Sequence, residues 1–195
     1  MNYYIDIKLL TDSEITLGFI WKKLYAQIHL ALVEVRDDDS LVSIGLSFPK
    51  YTEDRFLGDT LRLFAPTQDE LEALDLNQWL GRLLDYLTIS EIKEVPSNTT
   101  EFVSFRRKQF KVNIERLARR QAKRKGISFE EALKNYENFD EEEKKKGNRL
   151  PYINVKSLSS EQEMKLFIEK SKVKEEKIGL FSTYGLSSES TVPWF

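Results

Sequence analysis

The stretch from Arg106 to Lys125 holds ten Lys or Arg residues against a single acid, Glu115, and no compact fold can bury so dense a run of one charge. From about Asn113 it is periodic as a helix. At 100° per residue Arg116, Arg119, Arg120 and Lys123 fall within roughly a third of the circumference, with Arg124 at its edge. The opposite side offers little to a core: Leu117 is the one large apolar residue between Glu115 and Lys125, with Ala118 and Ala122 beside it. Like charges at i,i+4 repel one another. Such a helix belongs on the surface, and the phosphates of a nucleic acid would relieve its self-repulsion. A plainly solvated helix is the alternative, and a membrane would ask for a stronger apolar face than one Leu supplies. The formal net charge of the whole chain is only -2, so the basic character is local, and local charge is what an approaching phosphate backbone feels.

The 195 residues suffice for a sizeable core, as one larger domain or two small ones. With no cysteine, disulfides and thiolate metal sites are excluded, and the single histidine, His29, rules out a multi-histidine zinc centre. No apolar run approaches the roughly 18 to 20 residues of a spanning helix, and MNYYIDIKLL lacks the pattern of a signal peptide. A cytoplasmic protein with no membrane partner, no cofactor and no metal is expected.

Taken in order, Tyr3 to Leu9 alternates as a strand, and a helix follows to about Val35 with Leu17, Ile20, Trp21, Leu24, Ile28, Ala31, Leu32 and Val35 on its apolar face. Leu41 to Phe48 and Asp59 to Ala65 read as strands. Thr67 to Leu87 reads as a helix in two pieces that opens on a capping box, Thr67 with Glu70, and Ile89 to Val95 as a fourth strand. Strand, helix, strand, strand, helix, strand is the order of a ferredoxin-like fold. Pro96 to Thr100, PSNTT, reads as a linker. Beyond the basic helix and its stop at Gly126 come a short helix opened by Ser128 and Glu131, the charge run EEEKKKG at 141 to 147, and strands at Tyr152 to Val155, Met164 to Ile168 and Ile178 to Tyr184. The tail TVPWF should be tied down by packing. The expected architecture is α+β: a ferredoxin-like domain over 1–95 and an α/β domain over 96–195 that carries an exposed arginine-rich helix.

His29 lies at the border of the first helix's apolar face, one turn from Tyr25. By position it suits an ordinary boundary residue as well as a general acid or base, for which imidazole's titration near neutrality fits it. Ser157, Ser159 and Ser160, followed by Gln162, form a hydroxyl cluster after a strand that could equally be a turn. Tyr184, beside Gly185, is similarly open. No phosphate loop, dinucleotide fingerprint or paired-carboxylate metal motif is present.

Several stretches together resemble the type I-F CRISPR repeat-processing endoribonucleases, within the wider family of CRISPR-associated RNA-cleaving proteins. They are YYIDIKL, LYAQIHLAL around His29, IGLSFP, QFKVNIERLARR, KSLSSEQEMKLFI and YGLSSESTVPWF, in order over nearly the whole length. The resemblance implies binding of the CRISPR repeat stem-loop and metal-independent cleavage on its 3' side. His29 matches the base that accepts the ribose 2'-hydroxyl proton, Ser157 the serine that positions that hydroxyl, and Tyr184 the tyrosine that helps hold the histidine. Arg107 and Gln109 match the pair that reads base edges near the foot of the stem. Arg119, Arg120, Lys123 and Arg124 match the helix that grips the hairpin, with Arg116 on the same basic face, and Ser159 matches a hydroxyl near the active-site phosphate. Met164 stands where the family can have an aromatic, and Lys123 and Lys125 where it has an arginine and a histidine. Implied partners are the repeat hairpin, the mature crRNA and the type I-F surveillance-complex proteins, with the free protein a monomer. A non-catalytic RNA-hairpin-binding assembly subunit and a DNA-binding accessory protein are the competing readings. Only the catalytic one requires a ribose 2'-hydroxyl at the cleavage position.

Overall fold

A computed structural model describes residues 1–11, 14–52, 54–110, 114–136, 149–156 and 162–195. The chain is an α+β fold. Its first strand, β1 (Tyr3–Leu9), buries Ile5, Ile7 and Leu9 and turns Lys8 outward, the alternation its sequence dictates. The helix α1 (Leu17–Glu34) starts where the Thr16 side chain accepts the Phe19 amide hydrogen, and it buries Ile20, Trp21, Leu24, Tyr25, Ile28, Ala31 and Leu32. Tyr25 thus joins the apolar face, whereas Leu17 and Val35 are only partly covered.

Around β1 lies a five-stranded antiparallel sheet in the order β3 (Gly45–Ser47), β4 (Thr60–Ala65), β1, β5 (Leu87–Ile89), with β6 (Lys93–Glu94) also pairing β1. Between β4 and β5 run α2 (Gln68–Glu72), opened by the Thr67–Glu70 capping box, α3 (Leu76–Leu80) and a 3₁₀ turn over Gly81–Tyr86. The single strand expected over Leu41 to Phe48 is broken in two. β2 (Leu41–Val42) pairs with β10 (Phe181–Ser182) in a separate ribbon, and the chain then crosses to β3. Gly45 permits the crossing, since a Cβ there would lie 2.6 Å from Val192 Cγ1 and 2.7 Å from the Phe181 ring.

The second sheet has the order β11 (Val192–Pro193), β7 (Phe102–Lys108), β9 (Glu163–Val173), β8 (Tyr152–Lys156). β9 runs well beyond the five residues read as strand, and β7 was not legible as a strand at all. Val103, Ser104 and Phe105 are all buried, so no alternation marks it. The strand expected over Ile178 to Tyr184 shrinks to β10. Upstream of it, side-chain bonds replace a ladder: Lys177 donates its N–H to Thr191 Oγ1 at 2.8 Å, and Ser190 donates Oγ–H to the Leu180 carbonyl at 2.8 Å.

One hydrophobic core takes residues from both sheets, from Ile5 to Val192. α1 packs on β1 and α3 and also on β8, so it lies where the sheets meet. The tail is docked in part: Val192 and Pro193 are buried, Trp194 donates its N–H to the Glu101 carbonyl, and Phe195 packs edge-on to Tyr4 and Phe64 while remaining 40% exposed. α4 (Ile114–Lys125) and α5 (Phe129–Lys134) pack on each other. Gly126 ends α4 with a positive φ of 67°, its N–H bonding the Ala122 carbonyl.

A tight turn over Ser182 to Leu186 follows β10. It is closed by the Gly185 N–H to the Ser182 carbonyl at 2.7 Å and the Ser182 N–H to the Leu186 carbonyl at 3.1 Å, and Gly185 has a φ of 66°. A Cβ at Gly185 would collide with the Leu46 side chain, whereas one at Gly126 would meet nothing. Alanine at 126 therefore carries only backbone strain, of order 1 kcal/mol, while alanine at 185 adds a clash and should cost about 2 kcal/mol or more. Thermal melts should place Gly185→Ala several degrees below Gly126→Ala. Equal melting temperatures would show that the Leu46 contact is unimportant.

Candidate active site

α1 and the 182–186 turn meet through two side chains one helical turn apart. The Tyr25 hydroxyl donates to the Tyr184 carbonyl at 2.8 Å, and His29 Nδ1 lies 2.8 Å from the Thr183 carbonyl. A carbonyl oxygen only accepts, so Nδ1 carries the hydrogen, and the neutral ring keeps its lone pair on Nε2. The rings reinforce this arrangement. His29 stacks on Tyr184 with centroids 4.2 Å apart and planes 2° from parallel, and Tyr25 lies 6.4 Å from Tyr184 on a 16° tilt. His29 and Tyr184 are half-buried, while Tyr25 is fully buried. The site so built is a half-buried imidazole of fixed tautomer, clamped to an aromatic plane and able to take one proton at Nε2.

His29 and Tyr184, named from sequence, are therefore brought together. Ser157 and Ser159 lie outside the described residues, as does the charge run at 141–147. The segments on either side of 157–161 do converge on α1: β8 packs against it, and Lys22 of α1 forms an ion pair with Glu163 at the start of β9. Arg107, on β7, is exposed and donates from Nη2 to Met164 Sδ at 3.5 Å, so the residue standing where an aromatic can occur instead supports the guanidinium. Gln109 follows β7 and is exposed.

On α4 the expected basic face is outward. Arg116, Arg119, Arg120, Lys123 and Arg124 are exposed, and Ala118 is fully buried on the side packed toward α5. Arg119 sits 3.6 Å from Glu115 and over the Phe129 ring at 5.8 Å. Both contacts are at the surface and hold the side chain only loosely.

Two participants escaped the sequence reading. The Thr183 contribution is a backbone carbonyl, which no residue type announces. Tyr25 was noted as a neighbour of His29, but its bond to the far end of the chain has no sequence signal. Burial, with Tyr184 adding to it, pushes the Tyr25 phenol well above the ordinary tyrosine range, against a smaller opposing pull from Arg107.

Comparison with known proteins shows the family. A family model described as CRISPR-associated protein (Cas_Csy4) matches residues 4–195. The curated "CRISPR-associated endonuclease Cas6/Csy4" of Escherichia coli (strain UTI89 / UPEC) is 35% identical over 199 residues, covering 100% of each chain. Its namesake from Pseudomonas aeruginosa (strain UCBPP-PA14) is 36% identical over 197 residues, again covering 100% of each. The chain belongs to the Cas6/Csy4 family of CRISPR-associated endoribonucleases. A solved structure described as "An RAMP protein binding different RNA substrates" aligns over 98% of this chain and 99% of its own at 13% identity and a TM-score of 0.36, too slight a likeness to bear on the fold.

Tyr25 generates two predictions. Replacing it by Phe keeps the ring and deletes the bond to Tyr184. Single-turnover RNA cleavage should slow about tenfold, the scale of one lost charge-neutral hydrogen bond, with RNA affinity unchanged; an unaltered rate would remove Tyr25 from any positioning role. Because the native phenol titrates higher than the unfolded one, its contribution to stability is complete below the unfolded value of about 10 and declines as pH rises above it. Denaturant melts from pH 9 to 11 should show a smaller decline for Tyr25→Phe than for the wild type.

Proposed function

We propose that the protein cleaves precursor CRISPR RNA on the 3' side of the repeat stem-loop by attack of a ribose 2'-hydroxyl on the adjacent phosphorus. The observation that carries this reading is the His29 ring, held by Thr183 and Tyr184 with Nε2 turned to its unbonded side. Nε2 accepts the 2'-hydroxyl proton as the new O2'–P bond forms. The P–O5' bond breaks, and the departing 5'-oxygen takes a proton from the imidazolium or from water. The products are a 2',3'-cyclic phosphate and a 5'-hydroxyl. The nucleophile belongs to the RNA, so the chemistry calls for neither an activated water nor a metal, and holding the 2'-oxygen in line with the leaving oxygen is the protein's main task.

In this reading Ser157 positions the 2'-hydroxyl and Ser159 contacts the phosphate, roles supported by the convergence of their flanking strands on α1. Tyr184 holds the His29 ring. Arg107 and Gln109 read base edges at the foot of the stem, where a fork-shaped guanidinium suits guanine and a side-chain amide suits adenine. Arg116, Arg119, Arg120, Lys123 and Arg124 grip the stem from α4, whose exposure supports the assignment. Because side chains cannot read an unbroken A-form major groove, the reading requires a short stem with an accessible end. The strand order β3-β4-β1-β5 supports a ferredoxin-like architecture for residues 1–95, with 96–195 as the α/β unit that carries the arginine-rich helix. The mature crRNA stays bound, and the protein enters the type I-F surveillance complex from a monomeric state. Cytoplasmic residence is part of the proposal.

The test is cleavage of the protein's own repeat RNA in excess EDTA, beside an RNA with one 2'-deoxy sugar immediately before the scissile phosphate. Only the unmodified strand should be cut. His29→Ala should slow cutting by at least 10²-fold, the lower end for a general base, and leave hairpin binding largely intact. Tight binding of the wild type without cutting under any condition would make the protein the non-catalytic assembly subunit instead.

A further inference from the structure

We infer that the cleft between β7 and the residues following Tyr184 is a subsite for a phosphodiester of the RNA strand downstream of the scissile phosphate; the inference rests on the proposed function and extends it. The cleft, of about 400 Å³, is lined by Arg106, Arg107 and Lys108 on one side and by Ser182, Ser187 and Ser188 on the other. Its second wall, Ser182 and Leu186 to Ser188, flanks the turn whose Thr183 carbonyl and Tyr184 ring hold His29. The walls are joined where the Ser187 N–H bonds the Phe105 carbonyl at 2.9 Å.

Both walls present groups that suit an oxyanion. Arg106 is neutralised by its ion pair with Glu169, and Arg107 rests its guanidinium on Met164. Among the described residues Lys108 has no carboxylate partner, which leaves its charge for a ligand. β11 covers this edge of β7 only at Phe102 and Val103. The Phe105 carbonyl points to that same edge, so by strand alternation the Arg107 backbone N–H does too. Opposite, Ser187 Oγ accepts the N–H groups of Glu189 at 3.2 Å and Ser190 at 2.9 Å, which frees its own hydrogen to donate outward. Ser188 is exposed, whereas Ser182 Oγ donates to the Leu186 carbonyl and stays within the turn. Besides Glu169, paired with Arg106, a neighbouring acid is Glu189, exposed and two residues from Ser187.

Size and composition select the ligand. A cleft of this volume admits one backbone phosphate and excludes a duplex, so the stem lies outside it, along α4, with only its foot reaching the Arg107 guanidinium at the rim. No aromatic ring lines it, so a base has no platform there and recognition is independent of sequence. The polynucleotide that remains is the single strand leaving the site on the 3' side. Held through one phosphate, it gains register before cleavage and is released readily after it, while the stem stays gripped.

The test uses the repeat hairpin, 2'-deoxy at the attacking position to prevent cutting, in three forms: ending one nucleotide past the scissile phosphate, continued by six nucleotides, and continued with a methylphosphonate at the first downstream linkage. The wild type should bind the continued RNA about 5- to 10-fold more tightly than the short one at low salt. Its salt dependence should be steeper by about 0.7 in log–log slope, as for one single-strand phosphate. The methylphosphonate, Lys108→Met and Ser188→Glu should each erase that difference, while each variant binds and, with the ribose restored, cuts the short hairpin as the wild type does. Equal wild-type affinity for short and continued RNAs, or an advantage that survives the methylphosphonate or Lys108→Met, would overturn the subsite. Failure of the wild type to bind even the short hairpin would overturn the proposed function and the subsite with it.

Discussion

The grip of α1 on the turn at residues 183 and 184 is made by two side chains that reach two successive carbonyls. The register is what matters. Tyr25 and His29 are four residues apart and lie one above the other on the helix, so the turn is seized at two points and cannot rotate about either. One point fixes a tautomer. The other brings a buried phenol, itself held uncharged by burial, to the peptide that carries the stacked ring. The stacking of His29 on Tyr184 at 2° from parallel follows from this double hold, since the same peptide segment presents both the Thr183 carbonyl and the Tyr184 ring.

Arg62 makes a comparable knot between β4 and β1. Its guanidinium binds Asp6 in both arms, at 2.7 and 2.9 Å, reaches the Phe195 carbonyl at 3.1 Å, and lies within 4.5 Å of the centres of the Tyr4 and Phe195 rings. A bidentate pair with low exposure is among the stronger arrangements available to a charge. By contrast the cations of α4 are exposed, and the contacts of Arg119 with Glu115 and Phe129 lie at the surface. Among the described residues the least exposed ion pair is thus bidentate, while the densest run of like charge faces solvent, the arrangement that would steer a polyanion.

Much of this was legible in the residues. β1 and α1 declared themselves by period, and the caps at Thr67 and Ser128 and the stop at Gly126 stand where their side chains predict. His29 and Tyr184 were named, and they meet. What could not be read has physical causes. Leu41 to Phe48 is continuous in pattern but divided between a two-stranded ribbon and the five-stranded sheet, because Gly45 lets Phe181 and Val192 approach from the far end of the chain. β7 is buried on both faces around Ser104 and merges into a charged run, so neither alternation nor apolar content marked it. Ile178 to Tyr184 alternates well enough for a strand, yet the Thr191 and Ser190 side chains capture its backbone and leave Ile178 at 92% exposure. The Thr183 carbonyl is invisible to any reading of side chains.

The bond between His29 and Thr183 spans 154 residues, and this separation orders events in time. During synthesis α1 and the whole first sheet leave the ribosome while the segment that will clamp the imidazole is still untranslated. Until that segment arrives, the proposed base is an imidazole with neither tautomer nor ring plane chosen, on a helix where Tyr25, one turn away, has no carbonyl to bind. Closing so long a loop is also among the slower steps available to a small fold. The clamp on the imidazole therefore forms only after the segment that also pairs β10 with β2 has been made, well after the basic helix α4.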